Sequence, residues 1–355
     1  MAPSDTRPRA GSRGARGSAR EGTRDGTVGI KQVAAAAGVS AGTVSNVLNR
    51  PERVSPATRA RVLAAIGELG FVRNGSASSL RAGQGRTVGL MVHDLLNPFF
   101  TSLAAGVEDV MSERGHAVIM CSSGSSPQRE ERNLRMLAEQ KVRGVLVTPL
   151  EEGPDRLRLL RERGIATVML DHAATRPQQC SVSVDDVAGG QMAVRHLLER
   201  GARDIAYVSG PLSIRQCADR RAGAARAIAS AGFGALREVT MAEMTPRAGQ
   251  EAGEHLLAEL PDAVFCANDL LAMGVLRALL RQEVRVPERV LLIGYDDIEY
   301  ATASAVPLSS VRQPTYQLGR IAATQLLDEC DDPGGHAHQQ IMFQPELVVR
   351  ESTTP

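Results

Sequence analysis

At 355 residues with 43% hydrophobic content, the chain is long enough for two or three folded units with sizeable cores. The formal net charge of +1 hides an asymmetry: residues 1–86 carry 14 Lys and Arg against 5 Asp and Glu, and the remainder 27 against 35. A front end built for a polyanion is implied, and no apolar run approaches the roughly 20 residues of a membrane span.

The five cysteines, Cys121, Cys180, Cys217, Cys266 and Cys330, are scattered without a C-x-x-C pair, which argues against a zinc site or a disulfide framework. They read as buried thiols. With no apolar segment after the N-terminal Arg residues, no secretory signal is expected, and a cytoplasmic location is.

In chain order, residues 1–26 are Gly, Ser, Arg, Pro and Ala with little to bury, so a disordered tail is expected. The stretch from Ile30 to Asn49 holds two short apolar-periodic segments meeting at Gly38-Val39-Ser40. Ile30, Val33, Ala34 and Ala37 share one face before the turn, and Val39, Val44, Val47 and Leu48 pack after it. Gly38 supplies the positive φ of the turn, and Ser40 caps the second segment through its hydroxyl. The pattern is a helix-turn-helix, with an ordinary helical hairpin as the alternative. The outer face of its second helix carries Ala41, Gly42, Thr43, Ser45, Asn46 and Asn49, small or hydrogen-bonding as base reading requires.

A third helix is punctuated by Ser55 at its N-cap, Pro56 at its first position and Gly70 past its end, with Val62, Leu63, Ile66 and Leu69 on one face. Together these elements predict an all-α headpiece over residues 28–73. Residues 74–85 form a linker whose NGSASSL segment is too poor in helix formers to fold alone. It is either a flexible connection or a hinge that folds on DNA, with Leu80 as a wedge between base pairs.

From Arg86 onward the pattern becomes α/β. Strands are predicted at Thr87 to Val92, Ala117 to Cys121, Gly144 to Thr148, Ala166 to Leu170, Asp204 to Ser209, Ala263 to Cys266 and Val290 to Gly294. Helices are predicted at Phe99 to Arg114, Gln128 to Gln140, Val187 to Arg200, Arg220 to Ala231 and Leu270 to Gln282. Alternation implies two lobes over residues 86–352, each a parallel doubly wound sheet, with ligand between them beyond the carboxyl ends of strands. Crossovers between lobes are expected near 171–173, 296–298 and 312–314.

That rule selects Asp94 and Asn97, Asp171 and His172, Asn268 and Asp269, and Asp296 and Asp297. Phe99 and Phe100 offer either a flat face to a sugar ring or ordinary core. Of Asn268 and Asp269, one can cap the following helix while the other faces the cleft. No catalytic constellation stands out, since no His or Cys falls at a spacing that makes a nucleophile and base recognisable. His336-Ala337-His338 lies in a Gly-rich loop and reads as exposed rather than metal-binding. Gly189-Gly190 opens no dinucleotide loop. Neither a metal nor a cofactor is expected.

The stretches VAAAAGVSAGTVSNVLN, VSPATRARVLAAIGELGFVRN, NPFF, RGVLVTP, GPL, ANDLLAMG, GYDDIEY, LSSVRQPTYQLG and PELVVRES, in this order, resemble the lac repressor family of bacterial transcriptional regulators. The resemblance implies a headpiece, a hinge helix and an effector domain shaped like a periplasmic sugar-binding protein. It also implies a homodimer on a near-palindromic operator, controlled by a small molecule, often a sugar. Carried over by position, the recognition helix begins at Ser40 and Ala41, and Ala41, Gly42 and Asn46 are the base-reading positions. Large polar residues are common at the first two in the family and Arg at the third. Asn74 opens the hinge and Leu80 matches the minor-groove wedge. In the cleft, Asn97, Phe99, Phe100, Asp171, Arg220, Asn268 and Asp296 match ligand positions. Met244 stands where relatives often stack an aromatic, and His172 where related sugar-binding proteins can have Arg. With no heptad-repeat tail after PELVVRES, a dimer is expected over a tail-assembled tetramer.

Overall fold

A computed structural model describes residues 28–71, 85–150 and 157–354. The expected tail, the hinge with Asn74 and Leu80, and residues 151–156 fall outside the described residues. The described chain up to Phe71 and that from Gly85 onward belong to two compact units.

The first unit is helical: α1 (Ile30–Ala37), α2 (Ala41–Asn49), a short 3-10 turn at Pro51–Arg53, and α3 (Pro56–Leu69). Its boundaries are set by local chemistry. Gly38 ends α1 at φ 63°, a left-handed conformation that costs glycine little. The Ser40 hydroxyl accepts from the Thr43 amide at 3.0 Å, and Ser55 accepts from Thr58 at 3.4 Å. Val33, Ala34, Ala37, Val44, Val47, Val62 and Ala65 form the core. Leu63, expected on the inner face of α3, is instead exposed, because the stripe packed into the core runs through Val62, Ala65, Ile66 and Leu69 and Leu63 lies beyond its edge.

The second unit contains two six-stranded sheets. The first, in the order β11-β5-β4-β3-β1-β2, joins β1 (Thr87–Val92), β2 (Ala117–Ser122), β3 (Gly144–Val147), β4 (Ala166–Leu170), β5 (Cys180–Val184) and β11 (Gln340–Phe343), all parallel. Helices α4 (Pro98–Glu113), α5 (Pro127–Glu139), α6 (Arg158–Glu162) and the late helix Thr315–Asp331 cover it. Phe99, Leu103, Val107 and Met111 of α4 pack with Leu318 and Leu326 in one apolar cluster, while Leu134, Leu137 and Leu160 join a second. Helices therefore lie on both faces, as a buried parallel sheet demands.

The second sheet, in the order β12-β10-β9-β8-β6-β7, contains β6 (Asp204–Ser209), β7 (Ala235–Thr240), β8 (Ala263–Cys266), β9 (Leu291–Asp296), β10 (Ser309–Arg312) and β12 (Glu346–Val348). Helices α7 (Asp186–Glu199), α8 (Arg215–Ala231), α9 (Pro246–Leu256), α10 (Asp269–Arg281) and α11 (Glu299–Thr302) complete this lobe, and Thr315–Asp331 is α12. Only β12 departs from the expected parallel order: it pairs antiparallel with β10 at the sheet edge. The C-terminal segment is clamped here, with Ser352 Oγ donating to the Leu292 carbonyl at 2.6 Å and accepting from the Ser309 amide at 2.8 Å.

The chain changes lobe at Asp185, between Arg312 and Thr315, and between Phe343 and Glu346. At 171–173 it stays in the first lobe, because β4 is followed by β5 in the same sheet. At 296–298 it stays in the second, because β10 pairs with β9. Both strands are short and rich in serine, CSVSV and SSVR, and each gains strand character by pairing.

Candidate functional site

A cavity of about 470 Å³ lies between the two lobes of the second unit, of the size that holds a small organic ligand. Its first-lobe wall includes His93, Asn97, Phe99, Phe100 and Asp171; its second-lobe wall includes Gln216, Arg220, Met244, Asn268 and Asp296, and Gln313 enters from a crossing segment.

Arg220 organises the second-lobe wall. Its guanidinium Nε donates to Asp186 Oδ1 at 2.7 Å, and Nη1 donates to the Ala267 carbonyl at 2.6 Å and lies 3.8 Å from Asp296 Oδ1. The same group stacks on the Tyr295 ring, 3.6 Å from its centre. Burial opposes its charge, yet Asp186, Tyr295, Asp296 and Asp171 together hold it protonated. One cation thus serves three carboxylates, and those carboxylates do not all keep their usual acidity. Burial pushes Asp296 up to about 6 even though Arg220 pulls it down. Asp171 is raised well above the usual carboxylate range by burial and by Asp186.

Amides position both acids. Gln216 Nε2 donates to the Asp171 carbonyl at 2.6 Å and to its Oδ2 at 3.0 Å, and Gln313 Nε2 donates to Asp296 Oδ1 at 2.8 Å. Asn97 caps α4 by accepting from the Phe99 amide at 3.0 Å, while its Nδ2 reaches Asp296 Oδ2 at 3.5 Å across the cleft. Asn268 does the same for α10, accepting from Leu271 at 2.9 Å and donating to the Met244 carbonyl at 3.3 Å. The two caps therefore also serve as cleft walls.

Three groups on this wall retain unmet hydrogen-bonding capacity: Asp171 Oδ1, Gln313 Oε1 and both ring nitrogens of His93 are buried without a partner. His93 is held neutral, its pKa lowered to about 4 by burial and by nearby His172, and it meets Phe100 edge to face at 6.0 Å. Phe99 and Phe100 add an apolar surface, themselves packed edge to face at 5.0 Å. Buried polar atoms of this kind call for donors and acceptors on a ligand, and the ring surface for its carbon-bound hydrogens.

Asp94 and Asn97 both line the cavity, whereas the three adjacent pairs divide. Asp171 lines the cavity, whereas His172 does not; its Nδ1 lies 2.8 Å from the Ala173 carbonyl. Asn268 lines it, whereas Asp269 is buried behind, accepting from Ser310 Oγ at 2.8 Å and the Ile298 amide at 2.9 Å. Asp296 lines it, whereas Asp297 pairs with Arg312 at 2.7 Å and Arg350 at 2.6 Å. In these three adjacent pairs one side chain faces the ligand and its neighbour turns away. Asp171 and Asp296 adopt φ of 53° and 104°, an uncommon conformation for a side-chain-bearing residue that aims the carboxylates inward.

Sequence reasoning did not select Gln216, Gln313, Asp186 or His93. A signal existed for Gln216, which stands one helical turn before Arg220 on the same face of α8. Asp186 adjoins a crossing that pattern reading misplaced, whereas Gln313 lies in the crossing expected at 312–314.

On the headpiece, Ser40, Gly42, Asn46 and Asn49 are exposed and Ala41, Thr43 and Ser45 partly so, all along one side of α2. Asn49 Nδ2 donates to the Ser45 carbonyl at 2.8 Å, so part of its amide is already used. A Cβ added at Gly42 would meet only Ser40 Oγ, at 3.6 Å, so packing does not demand glycine there.

Comparisons with known proteins agree with this division. Residues 29–74 match the bacterial regulatory proteins of the lacI family, and residues 194–353 the periplasmic binding protein-like domain. The ribose operon repressor of Escherichia coli strain K12 is 35% identical over 328 residues, covering 91% of this chain and 99% of that protein. Among solved structures, the transcriptional regulator CelR in complex with cellobiose is 34% identical with a TM-score of 0.67, covering 92% of this chain and 99% of that one. The lac repressor dimer bound to operator and the anti-inducer ONPF aligns with a TM-score of 0.81 at 25% identity, covering 93% and 100%.

Proposed function

Since the chain belongs to the lacI family of bacterial regulatory proteins, we propose that it is a sequence-specific DNA-binding transcriptional regulator, a repressor, whose operator affinity is set by a small polyhydroxylated effector in the interlobe cavity. It acts as a homodimer on a near-palindromic operator, in the cytoplasm where that DNA lies. The CelR–cellobiose complex and the ribose operon repressor support a sugar as the effector class.

One observation carries the effector reading: a closed ring of acids, amides and one arginine leaves Asp171 Oδ1, Gln313 Oε1 and His93 unpaired beside two phenyl rings. Sugars present adjacent hydroxyls that both donate and accept, together with an apolar ring face, and match both halves of that wall. A charged ligand is disfavoured, because Arg220 is already balanced by Asp186 and Asp296.

Control of DNA binding follows from where the wall residues are anchored. Asn97 belongs to the first lobe and Asp296 to the second, so a ligand that grips both favours one lobe arrangement over another. The bistable element that reads this out is the segment of residues 74–85, too weak in helix propensity to fold without DNA. Asn46 is the principal base reader, suited to adenine, with Ser40, Ala41, Gly42, Thr43, Ser45 and Asn49 close to the groove, Asn74 opening the hinge and Leu80 as its wedge.

No turnover of the ligand is expected. Cys217, the thiol on the cavity wall, is pushed up to about 11 by burial, and its sulfur lies 3.4 Å from Met244 Sδ rather than beside a base. A thermal-shift screen of sugars and nucleosides tests the reading. A sugar should raise the melting midpoint by mass action and change operator affinity in the same concentration range. Mass spectrometry showing conversion of that sugar, or a ligand that shifts melting but leaves operator affinity unchanged, would sink the proposal.

A further inference from the structure

Outside the cavity, one edge of the first lobe gathers four side chains with the chemistry of metal ligands: Cys180, Glu329, His336 and His338. Cys180 is the first residue of β5, Glu329 lies near the end of α12, and the two histidines occupy the connection from α12 to β11. Cys180 Sγ is 3.1 Å from His336 Nε2 and 3.6 Å from His338 Nδ1, and one ligand atom from each of the four lies within 4.8 Å of all the others. The two imidazoles meet edge to face with centres 5.3 Å apart. Glu329 Oε2 is buried without a hydrogen-bond partner.

The two sulfur–nitrogen separations are close to those of a coordination shell. With Zn–S near 2.3 Å and Zn–N near 2.0–2.1 Å in a tetrahedron, sulfur and nitrogen ligands stand about 3.5 Å apart. The Gln339 amide donates to Cys180 Sγ at 3.4 Å, a contact that supports a thiolate. A thiol, two imidazoles and a carboxyl whose Oε2 is buried without a hydrogen-bond partner supply sulfur, nitrogen and oxygen donors that one cation can accept together.

We propose that Cys180, Glu329, His336 and His338 bind a divalent transition-metal ion, Zn²⁺ by its tetrahedral preference and tolerance of mixed sulfur, nitrogen and oxygen donors. Binding exchanges the proton of the Cys180 thiol for the metal–sulfur bond and releases that proton to solvent. Motif spacing could not reveal the site, because Cys180 and His336 are 156 positions apart and meet only when β11 pairs with β5. The location has a consequence: β5 and β11 each run directly into a crossing between lobes, and α12 begins at the remaining one. The ion therefore joins the three first-lobe elements that lead to or from the crossings, at their ends remote from those crossings.

The test uses the full-length chain, stripped with a chelator and desalted. Zn²⁺ is titrated against a chromophoric competitor, and Co²⁺ serves as the spectroscopic probe. One equivalent per chain should bind at micromolar affinity or tighter. Co²⁺ should give the intense visible bands of a tetrahedral site and a near-ultraviolet sulfur-to-cobalt band. Cys180→Ser should remove the sulfur band. His338→Ala, at an exposed position that leaves the fold intact, should weaken Zn²⁺ at least tenfold. Failure of the chain to compete for Zn²⁺, a Co²⁺ spectrum lacking the sulfur band, or undiminished affinity in His338→Ala would each overturn the proposal.

Discussion

Replacing Arg220 by Met is the sharpest probe of the cleft, because methionine keeps an unbranched apolar stem against Tyr295 while deleting the charge. Arg220 is 5% exposed and pairs with Asp186 at 2.7 Å, so its loss leaves a buried carboxylate without its partner and Asp296 without its neutralising neighbour. Breaking a buried pair in this way costs about 3–5 kcal/mol, or roughly two to four decades in the folded-to-unfolded ratio. The cost has a pH signature. Asp296 titrates near 6 in the folded protein against an ordinary 3.8, so its burial penalty is present in full above about pH 6 and is relieved as pH falls toward 3.8. That relief is worth about 3 kcal/mol in the native protein. Without Arg220, which lowers the Asp296 value, relief begins at higher pH, and the gap between variant and native protein shrinks on acidification. All four tyrosines, Tyr207, Tyr295, Tyr300 and Tyr316, lie in the second unit, and the chain has no Trp. Urea unfolding followed by tyrosine fluorescence at about pH 8 and about pH 5.5 therefore reports this unit without interference from the headpiece. A gap under about 1 kcal/mol at the higher pH, or one that does not change with pH, would refute the reasoning.

Other predictions address the remaining links. Gly223→Ala drives a Cβ into the Val187 carbonyl of α7, where α7 and α8 cross backbone to backbone; it should lower the melting midpoint of the second unit by the equivalent of about 1–3 kcal/mol or more, measured by calorimetry. Gly42→Ala meets only Ser40 Oγ at an ordinary van der Waals distance and should instead raise headpiece stability by about 0.5–1 kcal/mol. On DNA, Asn46→Ala should weaken a selected operator by about 1–3 kcal/mol while leaving random duplex unchanged in anisotropy titrations. Leu80→Ala should likewise cost specific binding far more than nonspecific binding, and equal loss on both would remove the wedge role. Operator affinity should fall steeply between about 50 and 200 mM salt; a flat response would contradict phosphate contacts by the basic front end.

Much of the architecture is written in interactions between near neighbours. Ser40, Ser55, Gly38 and Gly70 mark helix ends because a cap bond closes within four residues, so the headpiece is legible without its packing. The strands Thr87–Val92, Ala166–Leu170, Asp204–Ser209 and Ala263–Cys266 are apolar runs buried on both sides and were equally plain. The serine-rich β5 and β10 were not, since their strand character comes from partners distant in sequence, and the lobe crossings moved with them. Cleft residues show the same boundary. That strand-end acids and amides would meet a ligand follows from topology, but which of Asp171 and His172, or of Asp296 and Asp297, turns inward depends on the backbone conformation at each strand end. What only the tertiary structure decided is therefore everything that depends on two distant segments meeting: Gln216 on Asp171, Gln313 on Asp296, and Cys180 with His336. Local sequence sets which elements form, because caps and periodicity act over a few residues; the chemistry of the sites is set by contacts whose sequence separation carries no pattern to read.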